Sequence, residues 1–384
     1  MQSSPEPAMS AKSKGTFRSL YVHFPFCESK CHYCDFYSLG RERTKEADAP
    51  TFEIALYSEA ERFKDLLAPE LDTLFFGGGT PSMTPPDSMA RALAPLTLES
   101  RMTPLTEWTM EANPSSVDLE NLKAYKKIGV NRISMGVQAL RPDLLQALGR
   151  VHSKETALSS LAKLFEAGFD NVSVDLLCGV PGQGLRDIEE ALETLTGFPI
   201  SHLSCYLLTL PKHHKMFPLL PIDDEQLSHL LFVDHWMTSH GFEHYEISNY
   251  AKPGKKARHN LNYWKGASYL GLGPSAHSFD GPEKKRWKNV SSLHKYASLL
   301  RDDKTPVEWA ELLKPEQLQL ESWMLALRLN DGFPELWLES EAQKMKASLF
   351  EREGLLERHP ILSQRMRLTP KGFALSDQVI SALA

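Results

Sequence analysis

Short apolar runs alternate with longer amphipathic stretches over more than half of this chain, and that pattern limits its fold more than any other feature. The runs fall at residues 20–24, 73–76, 108–111, 132–137, 172–177 and 202–208. Between them lie stretches with helical periodicity at 51–67, 87–96, 118–127, 154–167 and 185–195. Buried strands separated by helices predict a parallel sheet built from βαβ units. Six units predict a partial (β/α)6 TIM-like barrel, with a doubly wound sheet as the other arrangement the pattern allows. In either arrangement the working residues belong at the carboxyl ends of the strands. The chemically unusual segments sit there: 26–36 after the first run, Gly77 to Ser82 after the second, Glu111 to Pro114 at the third, Gln138 after the fourth and 179–182 after the fifth. Asp175 lies inside the fifth run.

The alternation stops near residue 222, which sets the expected domains. These are a disordered polar tail at 1–16, the barrel at 17–222, a covering extension at 223–304 and a small C-terminal domain at 305–384. Residues 243–249 read as a short strand. From about 305 the pattern turns mainly helical, with 315–329 the clearest amphipathic segment; a helix near 350–356 and a hairpin near 366–372 suggest a winged-helix-like domain. With 42% hydrophobic residues in a length of 384, the chain has ample material for a core. The 43 basic and 49 acidic residues leave a net charge of −6, which argues against nucleic acid as a partner. No apolar run reaches the ~18 residues of a transmembrane segment, and residues 1–15 lack the apolar stretch of a secretory signal. The expected location is cytoplasmic.

Five cysteines in this length do not make a disulfide framework. Cys178 and Cys205 read as small buried residues, whereas Cys27, Cys31 and Cys34 fall within eight positions. Three thiols so spaced point to metal. They can hold three irons of a [4Fe–4S] cluster and leave the fourth open. Zinc is the competing reading, with His23 or His32 as a fourth ligand.

The sequence from Tyr21 through Cys27, Cys31, Tyr33 and Cys34 resembles the cluster motif of the radical S-adenosylmethionine (SAM) superfamily, and more narrowly of its oxygen-independent coproporphyrinogen III oxidase-like family. Further matches are Gly77-Gly78-Gly79-Thr80-Pro-Ser82, Glu111-Ala-Asn-Pro114, Ser134 to Gln138, Leu148-Gly-Arg150-Val-His152 and Asp175 to Gly182, in the family's order. The resemblance implies that SAM chelates the open iron and that a reduced cluster cleaves it to methionine and a 5′-deoxyadenosyl radical. It also implies that Gly77, Gly78, Gly79 and Thr80 admit its methionyl part, that Arg150 neutralises its carboxylate, and that Glu111, Gln138 and Asp175 bind its amine and ribose. Tyr21 and Tyr33 would pack around cluster and SAM.

Two branches of the family differ just beyond the third thiol. The oxidase branch carries another cysteine two residues on, where this chain has Phe36. The HemW-like haem chaperone branch shows Cys-Asp-Phe there, together with a His-Asn-x-x-Tyr-Trp motif, and this chain has His259-Asn260-Leu-Asn-Tyr263-Trp264. The resemblance therefore implies a haem chaperone, with haem or porphyrin as ligand, a haem-acceptor protein, and an electron donor such as flavodoxin or ferredoxin; the oxidase is the alternative. His259, Asn260, Tyr263 and Trp264 are the haem-binding candidates, against the reading that they form a packed polar-aromatic corner. His277 and the pair His213–His214 rank below them. The chain departs from the family pattern at 208–214, which lacks the usual acidic residue and Gly-Thr, and at Ala139, where serine is common.

Overall fold

The structure, a computed structural model, describes residues 14–384, so the tail expected at 1–16 lies almost wholly outside the described residues. The chain divides into two compact units woven from alternating segments. The first comprises the described residues through Val137 with Leu148–Val172 and Ala267–Leu313, and the second comprises Gln138–Ala147, Ser173–Gly266 and Lys314–Ala384.

In the first unit the strands Ser19–Phe24, Thr73–Gly78, Glu107–Ala112 and Arg132–Gln138 run parallel in sequence order. Their inward side chains explain the apolar runs: Leu20, Val22, Leu74, Phe76 and Met110 are completely buried. A fifth parallel strand, Leu270–Leu272, pairs with Ser19–Phe24 and sets Leu272 opposite Val22. Helix Asp48–Phe63 covers this sheet through Phe52, Leu56 and Ala60, with Phe52 edge-on to both Phe24 and Phe26. Helices Leu119–Lys127 and Lys154–Glu166 each begin at a side chain that accepts a backbone N–H, Asp118 from Asn121 and Ser153 from Thr156. The result is the α/β fold with a parallel sheet core that the alternation predicts.

One stretch of this unit differs from expectation. Residues 307–312, expected within the helical region, form a strand in an antiparallel sheet of His277–Asp280, Lys285–Asn289 and Val307–Leu312. Its β-branched and aromatic residues favour an extended backbone once partners are present. Glu59 fastens this part of the chain to helix Asp48–Phe63. Its buried carboxyl accepts from Gly273 N–H at 2.7 Å, Asn289 Nδ2 at 2.6 Å and Tyr296 Oη at 2.6 Å.

The second unit places Val172–Cys178 parallel to His202–Leu207. Here the single strand expected at 243–249 is two strands, Glu243–Glu246 and Asn249–Ala251, folded antiparallel about Ile247 and Ser248, and the hairpin expected at 366–372 is Leu356–Arg358 with Arg365–Leu368, followed by helix Pro370–Ala374. Toward the C-terminus, helices Pro315–Ala326 and Glu341–Arg352 join a three-stranded sheet of Phe333–Pro334, Leu356–Arg358 and Arg365–Leu368. Trp323, Leu327, Phe333, Phe350, Met366, Phe373 and Val379 form their common core. No described helix is long and apolar enough to cross a membrane.

Candidate functional site

Beyond strand Ser19–Phe24 the chain makes a loop that carries all three thiols. It is tied at its base, where Phe26 and Cys27 pair in parallel with Leu39 and Gly40. His32 N–H donates to the Leu148 carbonyl at 3.1 Å and holds its middle. Cys27, Cys31 and Cys34 are free thiols and partly exposed. Burial raises the Cys27 and Cys34 thiols, while the Thr80 hydroxyl and Arg150 counter this at Cys27. Among the described residues no three His, Cys, Asp or Glu side chains close into a cage for a single ion.

A polar relay stands behind the thiols. Thr80 Oγ1 lies 3.6 Å from Cys27 Sγ and accepts from Asn113 Nδ2 at 2.7 Å. Asn113 Oδ1 accepts from Arg150 Nη2 at 2.7 Å, and Arg150 Nη1 lies 3.4 Å from Cys31 Sγ. Arg150 Nη2 also donates to the Gly136 carbonyl. Its Nε–H is buried without a protein partner. A guanidinium presents five donors and no acceptor, so this orphan suits an anionic ligand. Asn113 is a site residue that sequence reasoning misses, although it stands inside the Glu111-Ala-Asn-Pro114 motif; it links two thiols through partners far apart in sequence.

The glycines following Thr73–Phe76 answer a packing demand within the strand ends. Gly78 has φ +101°, and a Cβ there would come within 2.5 Å of the His23 ring. A Cβ on Gly79 would meet the Phe26 and Phe24 carbonyls at 2.6 and 2.8 Å. These positions are glycine because the neighbouring strand crosses too closely for any side chain. Gly78 N–H donates to Glu111 Oε2 at 3.2 Å, so Glu111 stands at the same strand ends.

Both ring nitrogens of His23 are already bonded, which argues against it as the fourth ligand of a zinc site. It is buried, its pKa lowered to about 4 chiefly by burial. Its Nε2–H donates to the Tyr37 carbonyl at 2.8 Å, which leaves Nδ1 to accept the Tyr21 hydroxyl at 3.0 Å. Both ring nitrogens are therefore engaged. Tyr21 also stacks on Phe75. Tyr33 is half-buried, and burial with the adjacent Cys31 pushes its phenol up. Phe36, at the branch-distinguishing position, is 68% exposed.

The structure thus brings Tyr21, Tyr33, the three cysteines, Gly77 to Thr80, Glu111 and Arg150 into the first unit. Gln138 and Asp175 belong to the second: Gln138 ends its strand at φ +68°, and Asp175 is half-buried mid-strand. The His-Asn-x-x-Tyr-Trp residues form helix Arg258–Trp264 in that second unit. His259 is completely buried, and its Nε2 lies 2.7 Å from Tyr263 Oη. Asn260 is half-buried, and Trp264 lies beneath the Arg328 guanidinium at 5.6 Å.

Comparison with known proteins identifies the family of the chain. Residues 21–195 match the model of the radical SAM superfamily. The chain is 33% identical over 372 residues to heme chaperone HemW of Mycobacterium tuberculosis, covering 95% of this chain and 94% of that one. It is 34% identical over 327 residues to heme chaperone HemW of Bacillus subtilis, covering 82% and 84%. Among solved structures, coproporphyrinogen III oxidase (HemN) from Escherichia coli, described as a radical SAM enzyme, superposes with a TM-score of 0.81 at 20% identity over 97% of this chain and 90% of that one. That likeness is one of fold. By its sequence along nearly its whole length, the chain belongs to the radical SAM superfamily and, within it, to the HemW family.

Proposed function

We propose that this protein is a cytoplasmic haem chaperone that holds a [4Fe–4S] cluster on Cys27, Cys31 and Cys34, binds SAM beside it, and passes haem to an acceptor protein. The similarity to curated heme chaperones over 95% of the chain carries this reading. The donor set fits the cofactors. Three thiols on one open loop can ligate three irons, and the loop is tied to Leu39–Gly40 and to Leu148. The orphaned Nε–H of Arg150 offers a buried donor to the SAM carboxylate, and Glu111 an acceptor to its amine. Gln138 and Asp175 are proposed for the ribose hydroxyls. When bound, the cluster supplies the electron for reductive cleavage of SAM, drawn from a donor such as flavodoxin or ferredoxin. Thr80, Asn113 and Arg150 hold the thiol loop against the strand ends, and Tyr21 and Tyr33 limit water there.

The competing reading is the decarboxylating oxidase. Phe36 argues against it, because that branch carries a cysteine at this position. The deciding experiment is anaerobic incubation of cluster-reconstituted protein with SAM, a reductant and coproporphyrinogen III. The expected result is no protoporphyrinogen, together with 1:1 binding of haemin; formation of protoporphyrinogen would reverse the assignment.

A further inference from the structure

An imidazole that ligates haem iron must be one the iron can reach, and helix Arg258–Trp264 does not present one. His259 is fully buried against Tyr263. A different histidine stands open, on the three-stranded sheet of the first unit. Strand alternation turns Ser278, Trp287 and Asn289 inward, where all are buried. The opposite face carries His277, Phe279, Arg286, Lys288, Trp309 and Glu311.

Register sorts these six into two rows. In one, Arg286 stands opposite both Phe279 and Glu311 and is paired with Glu311 through Nε at 3.0 Å and Nη2 at 2.9 Å. In the other, Lys288 stands between His277 and Trp309 with no carboxylate opposite it. The His277 and Trp309 rings approach each other edge to face, centroids 6.2 Å apart and planes at 71°. His277 is exposed and Trp309 is 38% exposed. With strands ~4.8 Å apart the three backbones of the row span about 10 Å, and its two outer rings converge to 6.2 Å.

The chemistry of this row matches the three parts of haem. An imidazole ligates iron, an indole lies against a macrocycle, and an unpaired ammonium attracts a propionate. One ring nitrogen of His277 faces the Ser275 carbonyl, which orients the ring and leaves the other nitrogen to a metal. Burial, with the nearby Lys288 and Arg286 charges, lowers the His277 pKa, so the imidazole keeps its lone pair at neutral pH.

We propose that haem docks on this sheet face, with His277 ligating iron, Trp309 against the macrocycle and Lys288 pairing with a propionate. The proposal rests on the haem-chaperone reading and names its cargo site. The test titrates haemin into the full-length protein, purified without cluster, and follows the Soret band. His277→Ala should shift the band and weaken binding at least tenfold. Added imidazole should restore the wild-type band in His277→Gly, which separates ligation from folding. Lys288→Ala should weaken haemin several-fold without a spectral shift, and that loss should vanish with haemin dimethyl ester. His259→Ala should leave the spectrum as in wild type. A wild-type band and affinity in His277→Ala, or loss of the band in His259→Ala alone, would overturn the site while the chaperone reading stands. Failure of the wild-type protein to bind haemin would bring down both.

Discussion

The loop of Cys27, Cys31 and Cys34 and the helix Arg258–Trp264 are equally conspicuous in sequence, yet the fold treats them in opposite ways. On the loop, thiols are partly exposed and Arg150 keeps a donor unspent. On the helix, His259 is buried and bonded to its own neighbour one turn away. Exposed thiols beside an unspent donor mark a ligand site, whereas His259 is taken up by its own neighbour, although Trp264 Nε1 on the same helix is also buried without a partner.

The largest effect should come from breaking the loop. Replacing any one of Cys27, Cys31 or Cys34 with alanine should abolish stable cluster assembly. Iron and sulfide should fall from near-equal amounts to traces, with the circular dichroism spectrum unchanged. Retention of a brown, iron-containing protein by a double variant would contradict the ligand assignment.

A second contrast lies within the first unit, between the open loop and the closed knot at Glu59. Glu59→Ala strands three buried donors, from Gly273, Asn289 and Tyr296, and should cost about 3 kcal/mol in denaturant unfolding. Burial outweighs those hydrogen bonds and raises the Glu59 carboxyl from 4.5 to about 7. The folded state therefore holds its proton more tightly than the unfolded chain. Its contribution is complete below pH 4.5 and declines as the pH rises through about 7, a slope that Glu59→Gln should remove.

Arg150→Met tests whether the relay behind the thiols serves a ligand. SAM affinity should fall about 10- to 100-fold in equilibrium dialysis, the range for a lost charge-assisted hydrogen bond. Stability should fall by about 1–3 kcal/mol as well, because the Asn113 Oδ1 and Gly136 carbonyl lose their Nη2 donor, so dialysis is read on protein whose folding is checked by circular dichroism. The smallest effect is expected at the helix. His259→Phe, which removes the bond to Tyr263 but keeps a ring, should lower stability by about 1 kcal/mol in the same denaturant assay.

Much of this was legible because parallel α/β folds write themselves locally. Strands buried on both faces need continuous apolar runs, and the residues at their ends are the ones not committed to the core; hence the core strands, the cysteine triplet and the glycine turn could be read directly. Asn113 was not distinguishable in this way, because its role depends on standing between Thr80 and Arg150, which are remote in sequence. Strand Val307–Leu312 was missed because its extended form depends on partners in Lys285–Asn289.

What the sequence alone determined is the βα order, the three thiols and the family, since each is a property of neighbouring residues or of their spacing. What only the tertiary structure decided is availability. His23 is consumed by Tyr21 and Tyr37, His259 is buried, and His277 is left open beside Lys288 and Trp309. Whether a histidine has a lone pair to offer depends on what packs around it, and that is settled by contacts between residues the chain holds far apart.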